Sequence, residues 1–468
     1  MTAVPSARYG ARTAVSGVQI GAGPAERLSS LTLGVFSGPA LPLAAFALPL
    51  VVYLPHFYAA HLGLSLTAVG AIFSIIRLID IGFDPILGGL MDRTRTPIGR
   101  FKPWMLASVP ILMVAAYLSF MPPSGAKAPY LVASLLVLYA GYSMAVLGHL
   151  AWGGVLAGAY HERSRIYGWV QAGTVGGMIL VLVLPIILAR IAPANAAAGV
   201  ASMGWFVIVL TPITIALAVW KVREPRVIAS AAPSAGPTEY LKVIQRPAVM
   251  RIVGCTVLLA TAPGITGAVF LFFFRQARGF SPVDTNLLLL VYFVGGLAGA
   301  PVWSGLARRL GKHRGMIASC GYYILMQSCT LLVPKGAMSI AVPVMFLSGI
   351  AFSAYLILLR AMTADACDEA RLDLKRDCTG MIYALHNAGT KVGSALGVAI
   401  TFPLLAAFGF HPGDKAHNTA AALHGLELTF VLLPIACVAL GALTLVGYRL
   451  TEARHREVRT ALAAGAEA

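Results

Sequence analysis

Charged side chains are scarce in this chain: Asp, Glu, Lys and Arg make up 11% of its 468 residues. A soluble domain carries about 25%. So few charges cannot cover a water-facing surface, which excludes an ordinary soluble enzyme or binding domain. Acidic residues are rarer than basic ones, 18 against 35. Cysteine is missing from the first half. Cys255, Cys320, Cys329, Cys367, Cys378 and Cys437 follow no metal-ligand spacing, and most lie in apolar runs where a free thiol acts as a small hydrophobe. Neither a disulfide nor a metal site is expected. Residues 1–30 hold Arg8, Arg12 and Arg27 but lack a compact apolar stretch with a small-residue cleavage site. They read as a cytoplasmic tail rather than a signal peptide. No zinc-ligand constellation and no nucleophile elbow occurs, so the chain is not expected to be an enzyme.

What the chain has is long apolar runs, with 58% hydrophobic residues overall. Crossing a bilayer takes about 20 apolar residues. The runs place spans at 31–54, 67–91, 103–121, 129–157, 166–190, 201–220, 248–274, 283–307, 315–333, 339–362, 379–408 and 426–449. The expected fold is an all-α membrane protein of about twelve transmembrane helices. The formal charge of +17 sits in short loops between spans and not in one patch, so nucleic acid is not an expected partner. Alternate loops are rich in Lys and Arg: Arg93, Arg95, Arg100 and Lys102; Arg163 and Arg165; Lys221 to Arg251; Arg308 to Arg314; Arg360 to Arg376. These loops are expected to face the cytoplasm, with both termini on that side of a bacterial inner membrane. The polar stretch 221–247, with Pro225, Pro233 and Pro237, cannot bury a core and reads as a cytoplasmic linker. It divides a tail (1–30) and a six-helix half (31–220) from a second six-helix half (248–449) and a C-terminal cytoplasmic tail (450–468). Six helices on each side of a linker is the layout of the major facilitator fold. A faint echo between GGLMDRTRTPIGR after helix 2 and SGLARRLGKHR after helix 8 agrees weakly with duplication.

Charges inside spans are costly and mark function by default. Helix 2 carries Arg77, Asp80 and Asp84, spaced to share one stripe. Two carboxylates one turn apart suit a small cation or a shared proton; the alternative is a structural network neutralised by Arg77. Lys391 in helix 11 shares a face with Tyr383 and Asn387, and a buried lysine needs a carboxylate partner. His149 and Trp152 in helix 4 are three residues apart. Trp152 suits either stacking on a ligand or plain packing; His149 suits either proton transfer or an interior hydrogen bond. His386 carries the same ambiguity. Gly38-Pro39, Pro42 and Pro49 interrupt helix 1, either lining a cavity or making a simple kink.

The run from Asp84-Pro85-Ile86-Leu87-Gly88-Gly89 through Asp92-Arg93 to Arg100-Phe101-Lys102-Pro103-Trp104 is the most specific in the chain. With His161-Glu162-Arg163-Ser164-Arg165, Ala364-Asp365-Ala366-Cys367-Asp368-Glu369 and Lys391-Val392-Gly393-Ser394, it resembles the glycoside-pentoside-hexuronide:cation symporters, the melibiose-permease-like branch of the major facilitator superfamily. The resemblance spans nearly the whole chain. It implies a cation site for Na⁺, Li⁺ or H⁺ at Asp80 and Asp84 beside Lys391. It also implies a cytoplasmic gate from Asp92, Arg93, Arg100, Arg163, Arg165, Asp365 and Asp368. Arg77, His149, Trp152, Tyr383 and Asn387, polar or aromatic side chains inside spans, are the candidates for a substrate cavity. Where sugar-transporting relatives carry charge on helices 1, 4 and 5, this chain has Ala44, Gly148 and Val170. A sodium-binding hydroxyl common on helix 4 falls at Ala145, with Ser143 or His149 as substitutes.

The expectation is a cation-coupled symporter of a small organic solute, a glycoside or sugar derivative among the candidates. The alternatives are a non-transporting membrane assembly factor or sensor, and an exporter of amphipathic compounds. No cofactor is expected. The coupling ion is H⁺ or Na⁺, with H⁺ preferred because the helix 4 hydroxyl is missing at Ala145 and His149 offers a relay. The protein is expected to act as a monomer in the lipid bilayer.

Overall fold

The computed structural model describes residues 28–156, 160–191, 196–225, 242–374, 378–413 and 416–467. Most of the expected linker and of the N-terminal tail lies outside the described residues. The described chain is helical, with twelve helices long and apolar enough to cross a membrane. They are α1 (Ser30–Ala60), α2 (Leu66–Arg93), α3 (Lys102–Phe120), α4 (Ala128–Leu156), α5 (Tyr160–Ile191) and α6 (Ala196–Lys221). The second set is α7 (Pro247–Phe272, continuing as a π turn over Phe273–Ala277), α8 (Pro282–Leu310), α9 (Lys312–Cys329), α10 (Met338–Leu374), α11 (Thr379–Ala407) and α12 (Ala420–Thr444).

Local chemistry sets the helix ends. Ser65 and Thr419 cap α2 and α12 by accepting the amides of Ala68 and Ala422 at 3.2 Å, filling donors that a helix start leaves open. Ser281 does the same for α8, followed by Pro282 in the first turn, where a missing N–H costs nothing. Gly38-Pro39 breaks α1 into Ser30–Ser37 and Ala40–Ala60, since a proline ring removes a donor and crowds the preceding turn.

The two halves repeat one another. In the first, α1 packs on α5 and α6, α2 on α4, and α3 on α4 and α6. The second half has the same pairs six helices later: α7 on α11 and α12, α8 on α10, and α9 on α10 and α12. Glycine allows the closest approaches. A Cβ at Gly393 of α11 would overlap the Val257 carbonyl of α7, and one at Gly397 would meet Gly264 at 2.8 Å. Without water to drive association, such backbone-to-backbone packing is what holds helices together in lipid. Ile79, Ile213, Leu440 and Leu443 stay exposed on the outer faces, where a soluble protein would not leave so much apolar surface.

One end of the bundle carries the Lys- and Arg-rich loops; it is called the basic end below. At the opposite end the halves share a single core containing Phe46, Tyr58, Phe120, Phe272, Phe402 and Phe430. Tyr53 Oη donates to Asn286 Oδ1 across the halves at 2.9 Å, and the His56 ring lies 4.5 Å from that of Phe272. At the basic end the cores are separate. Phe36, Met91, Met105 and Trp152 form one in the first half; Met316, Leu358, Met362 and Ile382 belong to another in the second. The halves are therefore clasped at one end and apart at the other. The segment expected as a simple tail contains a helix, α13 (Glu452–Glu467), packed against α10.

Candidate functional site

The stripe on α2 meets α11 where the halves touch. Asp80 is buried, at 3% exposure. Its Oδ1 accepts from Ser143 Oγ of α4 at 2.5 Å. Its Oδ2 lies 2.8 Å from Lys391 Nζ and 3.5 Å from Arg77 Nη1. Lys391 also donates to Asp84 Oδ2 at 2.5 Å. One lysine of the second half thus bridges two carboxylates of the first. Ser394 and the glycine contacts of α11 with α7 fix its backbone.

The cluster holds two carboxylates and two cations, so its formal charges cancel. Its hydrogen bonding is incomplete: Asp84 Oδ1 is buried without a donor, and Asp80 Oδ2 is held by ion pairs alone, without an aligned hydrogen bond. Buried acceptors left open are costly, and hard oxygens in that condition suit a small cation. Asp80, Asp84 and Ser143 are the residues able to hold one. The α4 hydroxyl at Asp80 is that of Ser143, one helical turn from Tyr139.

Arg77 keeps its ion pair with Asp80 and also reaches an aromatic ring. Its guanidinium carbon lies 5.2 Å from the centre of the Tyr139 ring, a cation–π contact. Arg77, Tyr139 and Tyr142 line a cavity of about 120 Å³ together with Phe73 and Ser394. A second cavity, about 210 Å³, lies mainly within the second half between α7, α8, α9 and α10. Ala47 and Val51 of α1 line both. Tyr139 and Tyr142 were not singled out by sequence, because a tyrosine in an apolar run carries no sign of which way it faces.

Other expected residues lie elsewhere. His149 and Trp152, expected at the cavity, are core residues of the first half near the basic end. The His149 Nε2 is hydrogen-bonded to the Phe36 carbonyl at 2.8 Å, and Trp152 meets the Phe36 ring edge-on at 5.2 Å. His386 is likewise interior, with Nδ1 3.2 Å from Thr256 Oγ1 and 3.3 Å from Thr363 Oγ1. Asn387 is exposed one turn below Lys391, and Tyr383 is half-buried against the second-half core.

The charges expected to form a gate sit at the basic end. Asp365 pairs with Lys312 at 2.7 Å, and Asp368 with His455 of α13 at 2.9 Å. Both aspartates lie on the α10 helix itself, which runs on past the apolar stretch. Arg100 Nε donates to the Met91 carbonyl, and Arg165 to the Leu28 carbonyl. Arg93 is exposed. The side chains of Asp92 and Arg163 lie outside the described residues. A further acid, Glu224, gathers the α2–α3 loop by accepting the amides of Arg100, Phe101 and Lys102 at 2.6–3.2 Å. Gly99, at φ +130°, leaves room for that carboxylate. These hydrogen bonds and ion pairs each stay within one half.

Comparison with known proteins agrees with this architecture. The MFS/sugar transport protein family matches residues 35–452. The chain belongs to that family. Its members are membrane transporters, and this transporter is not an enzyme; it is a secondary active transporter of the major facilitator type. It is similar to the putative glycoside/cation symporter YagG of Escherichia coli (strain K12), 23% identical over 418 residues, 86% of this chain and 88% of that protein. The inner membrane symporter YicJ of the same organism is 24% identical over 425 residues, 89% of this chain and 91% of that one. Among solved structures the nucleoside transporter NupG superposes with a TM-score of 0.62 at 13% identity, covering 89% of this chain and 98% of that one, a likeness of fold alone.

Proposed function

We propose that this transporter is a cation–solute symporter in which the coupling cation and Lys391 compete for Asp80 and Asp84. The observation that carries the reading is the position of Lys391: it belongs to one half, and the carboxylates that it bridges belong to the other. A cation taking its place changes the contact between halves, so ion occupancy is coupled to their relative movement. With the basic end cytoplasmic, as the positive-inside rule requires, the separated cores describe an inward-open state. Both termini then lie in the cytoplasm of a bacterial inner membrane. Closing that end brings together the halves that carry Asp92, Arg93, Arg100, Arg163 and Arg165 on one side and Asp365 and Asp368 on the other.

The two reasons for preferring H⁺ over Na⁺ do not hold at this geometry. Ser143 supplies the hydroxyl, and His149 is tied to α1 instead of facing the cluster. Three oxygen-bearing side chains, with Asp84 Oδ1 lacking a donor, favour Na⁺. Coupling between ion and solute is reciprocal, so each must raise the affinity of the other. The test is a thermal-stability screen of purified protein against organic solutes, followed by uptake of a stabilising solute into sealed proteoliposomes. Uptake is expected to follow an imposed Na⁺ gradient at constant pH. Uptake that follows only a pH gradient returns the site to protons; uptake indifferent to both contradicts symport.

A further inference from the structure

We infer that the solute is a small amphipathic carboxylate, whose anionic head is held by Arg77 and whose apolar body enters the cavity of the second half. The inference rests on the symporter reading for its cation dependence, and on the two adjoining cavities for its chemistry.

The size and lining of the larger cavity come first. A dry apolar cavity of about 150 Å³ binds benzene; this one is about 210 Å³, enough for a ring and a short chain. Leu289, Phe293, Met345 and Phe352 are among its walls. Four of its polar side chains are already engaged. Thr266 donates to the Ala262 carbonyl, Ser348 to Val344, Thr330 to Gln327, and Gln327 to Phe430. A sugar placed there would find few free partners for its hydroxyls, and each unmatched hydroxyl is penalised. Tyr323 Oη, buried without a hydrogen bond, and the hydroxyl of Tyr292, which also lines the cavity, offer few polar contacts.

Charge gives the head group. Asp80, Asp84, Arg77 and Lys391 sum to zero. Binding of one monovalent cation raises the summed charge of these side chains and the ion, the displaced Lys391 included, to +1 in a cleft that water reaches only in part, an unfavourable state. A neutral solute leaves that charge in place, whereas a monoanion cancels it. Arg77 is the member that reaches the smaller cavity, and its guanidinium matches a carboxylate with two parallel donors. A cation on Asp80 also weakens the hold of that carboxylate on Arg77, now 3.5 Å away. This frees the guanidinium for the solute and links the two binding events. Ala47 and Val51 border both cavities, so a solute whose short chain passes beside these α1 side chains places its head in one and its body in the other.

The experiment is calorimetric binding to the purified full-length transporter in detergent. Hydrocinnamate, cinnamate and naphthylacetate are compared with hydrocinnamamide, glucuronate and phenyl glucoside. At least one of the aromatic carboxylates is expected to bind, with its neutral amide and glucuronate each weaker by about tenfold or more. Replacing Na⁺ by choline is expected to weaken the carboxylate by about fivefold or more. Leu289→Asn is expected to weaken the carboxylates, and Arg77→Gln to abolish the preference for acid over amide. Binding of glucuronate or phenyl glucoside as tight as that of the aromatic carboxylates overturns the inference, as does equal affinity for acid and amide, or binding by none of the three carboxylates. Carboxylate binding that ignores Na⁺ leaves the solute class standing and removes the Na⁺-symport reading, so the two failures are distinguishable.

Discussion

Replacing Lys391 with methionine keeps the length of the side chain and removes the charge that spans the halves. The neutral cluster then becomes two carboxylates facing Arg77 alone. Breaking one partner of a buried ion pair costs about 3–5 kcal/mol. Asp84 is 24% and Lys391 17% exposed to the cleft, and water there reduces the cost to about 2 kcal/mol. The same energy is available to a cation that restores charge balance, since nothing now competes for the carboxylates. The Lys391→Met protein is therefore expected to melt earlier than wild type in choline chloride and to recover in sodium chloride. Its Na⁺ affinity is expected to rise by about 30-fold, the equivalent of about 2 kcal/mol. Na⁺ titration by calorimetry measures this directly. An affinity unchanged or weakened by the substitution refutes competition between Lys391 and the ion.

Other perturbations follow from the same geometry. Ser143→Ala removes the hydroxyl on Asp80 Oδ1 and is expected to weaken Na⁺ by about 5–10-fold; wild-type affinity would take Ser143 out of the site. Glu224→Gln weakens the carboxylate that gathers three amides at the start of α3. A loss of about 1–2 kcal/mol is expected, read as a lower thermal midpoint, and an unaltered midpoint counts against that role. Tyr53→Phe deletes the hydrogen bond to Asn286 across the halves. Spin labels at Ser124 and Lys335 are expected to report longer distances as about 1 kcal/mol of clasping is lost; an unshifted distribution argues that the aromatic core alone holds that end. A simple disaccharide is expected to bind weakly in equilibrium dialysis, and tight saturable binding contradicts the apolar cavity as the solute site.

The spans were legible because lipid demands uninterrupted apolar helix, and their ends were less so for physical reasons. The first run predicts an end at 54, before Pro55, yet α1 reaches Ala60, because Pro55, His56 and Phe57 are buried, His56 against Phe272 of the other half, and not placed at a water boundary. The tenth was read as ending at 362, but a helix need not stop where the membrane does, and α10 carries Asp365 and Asp368 on to Leu374. Asp80, Asp84 and Lys391 could be picked out because a charge in an apolar run is improbable without a partner. Tyr139 and Tyr142 could not, since hydroxyls cost little in a helix that can bond them internally, and Ser143 could be named only beside His149 as a substitute for the hydroxyl expected at Ala145. His149 and Trp152 share a face, as their spacing dictates, but spacing does not say which neighbour that face meets. Here it meets Phe36.

The central claim is that a cation occupies Asp80 and Asp84, and Na⁺ binding to the purified transporter tests it without knowledge of the solute. Calorimetric titration at constant pH is expected to give one site in the wild-type protein and none in Asp80→Asn or Asp84→Asn, with far-ultraviolet dichroism showing both variants helical. A wild-type isotherm in both variants would contradict the account.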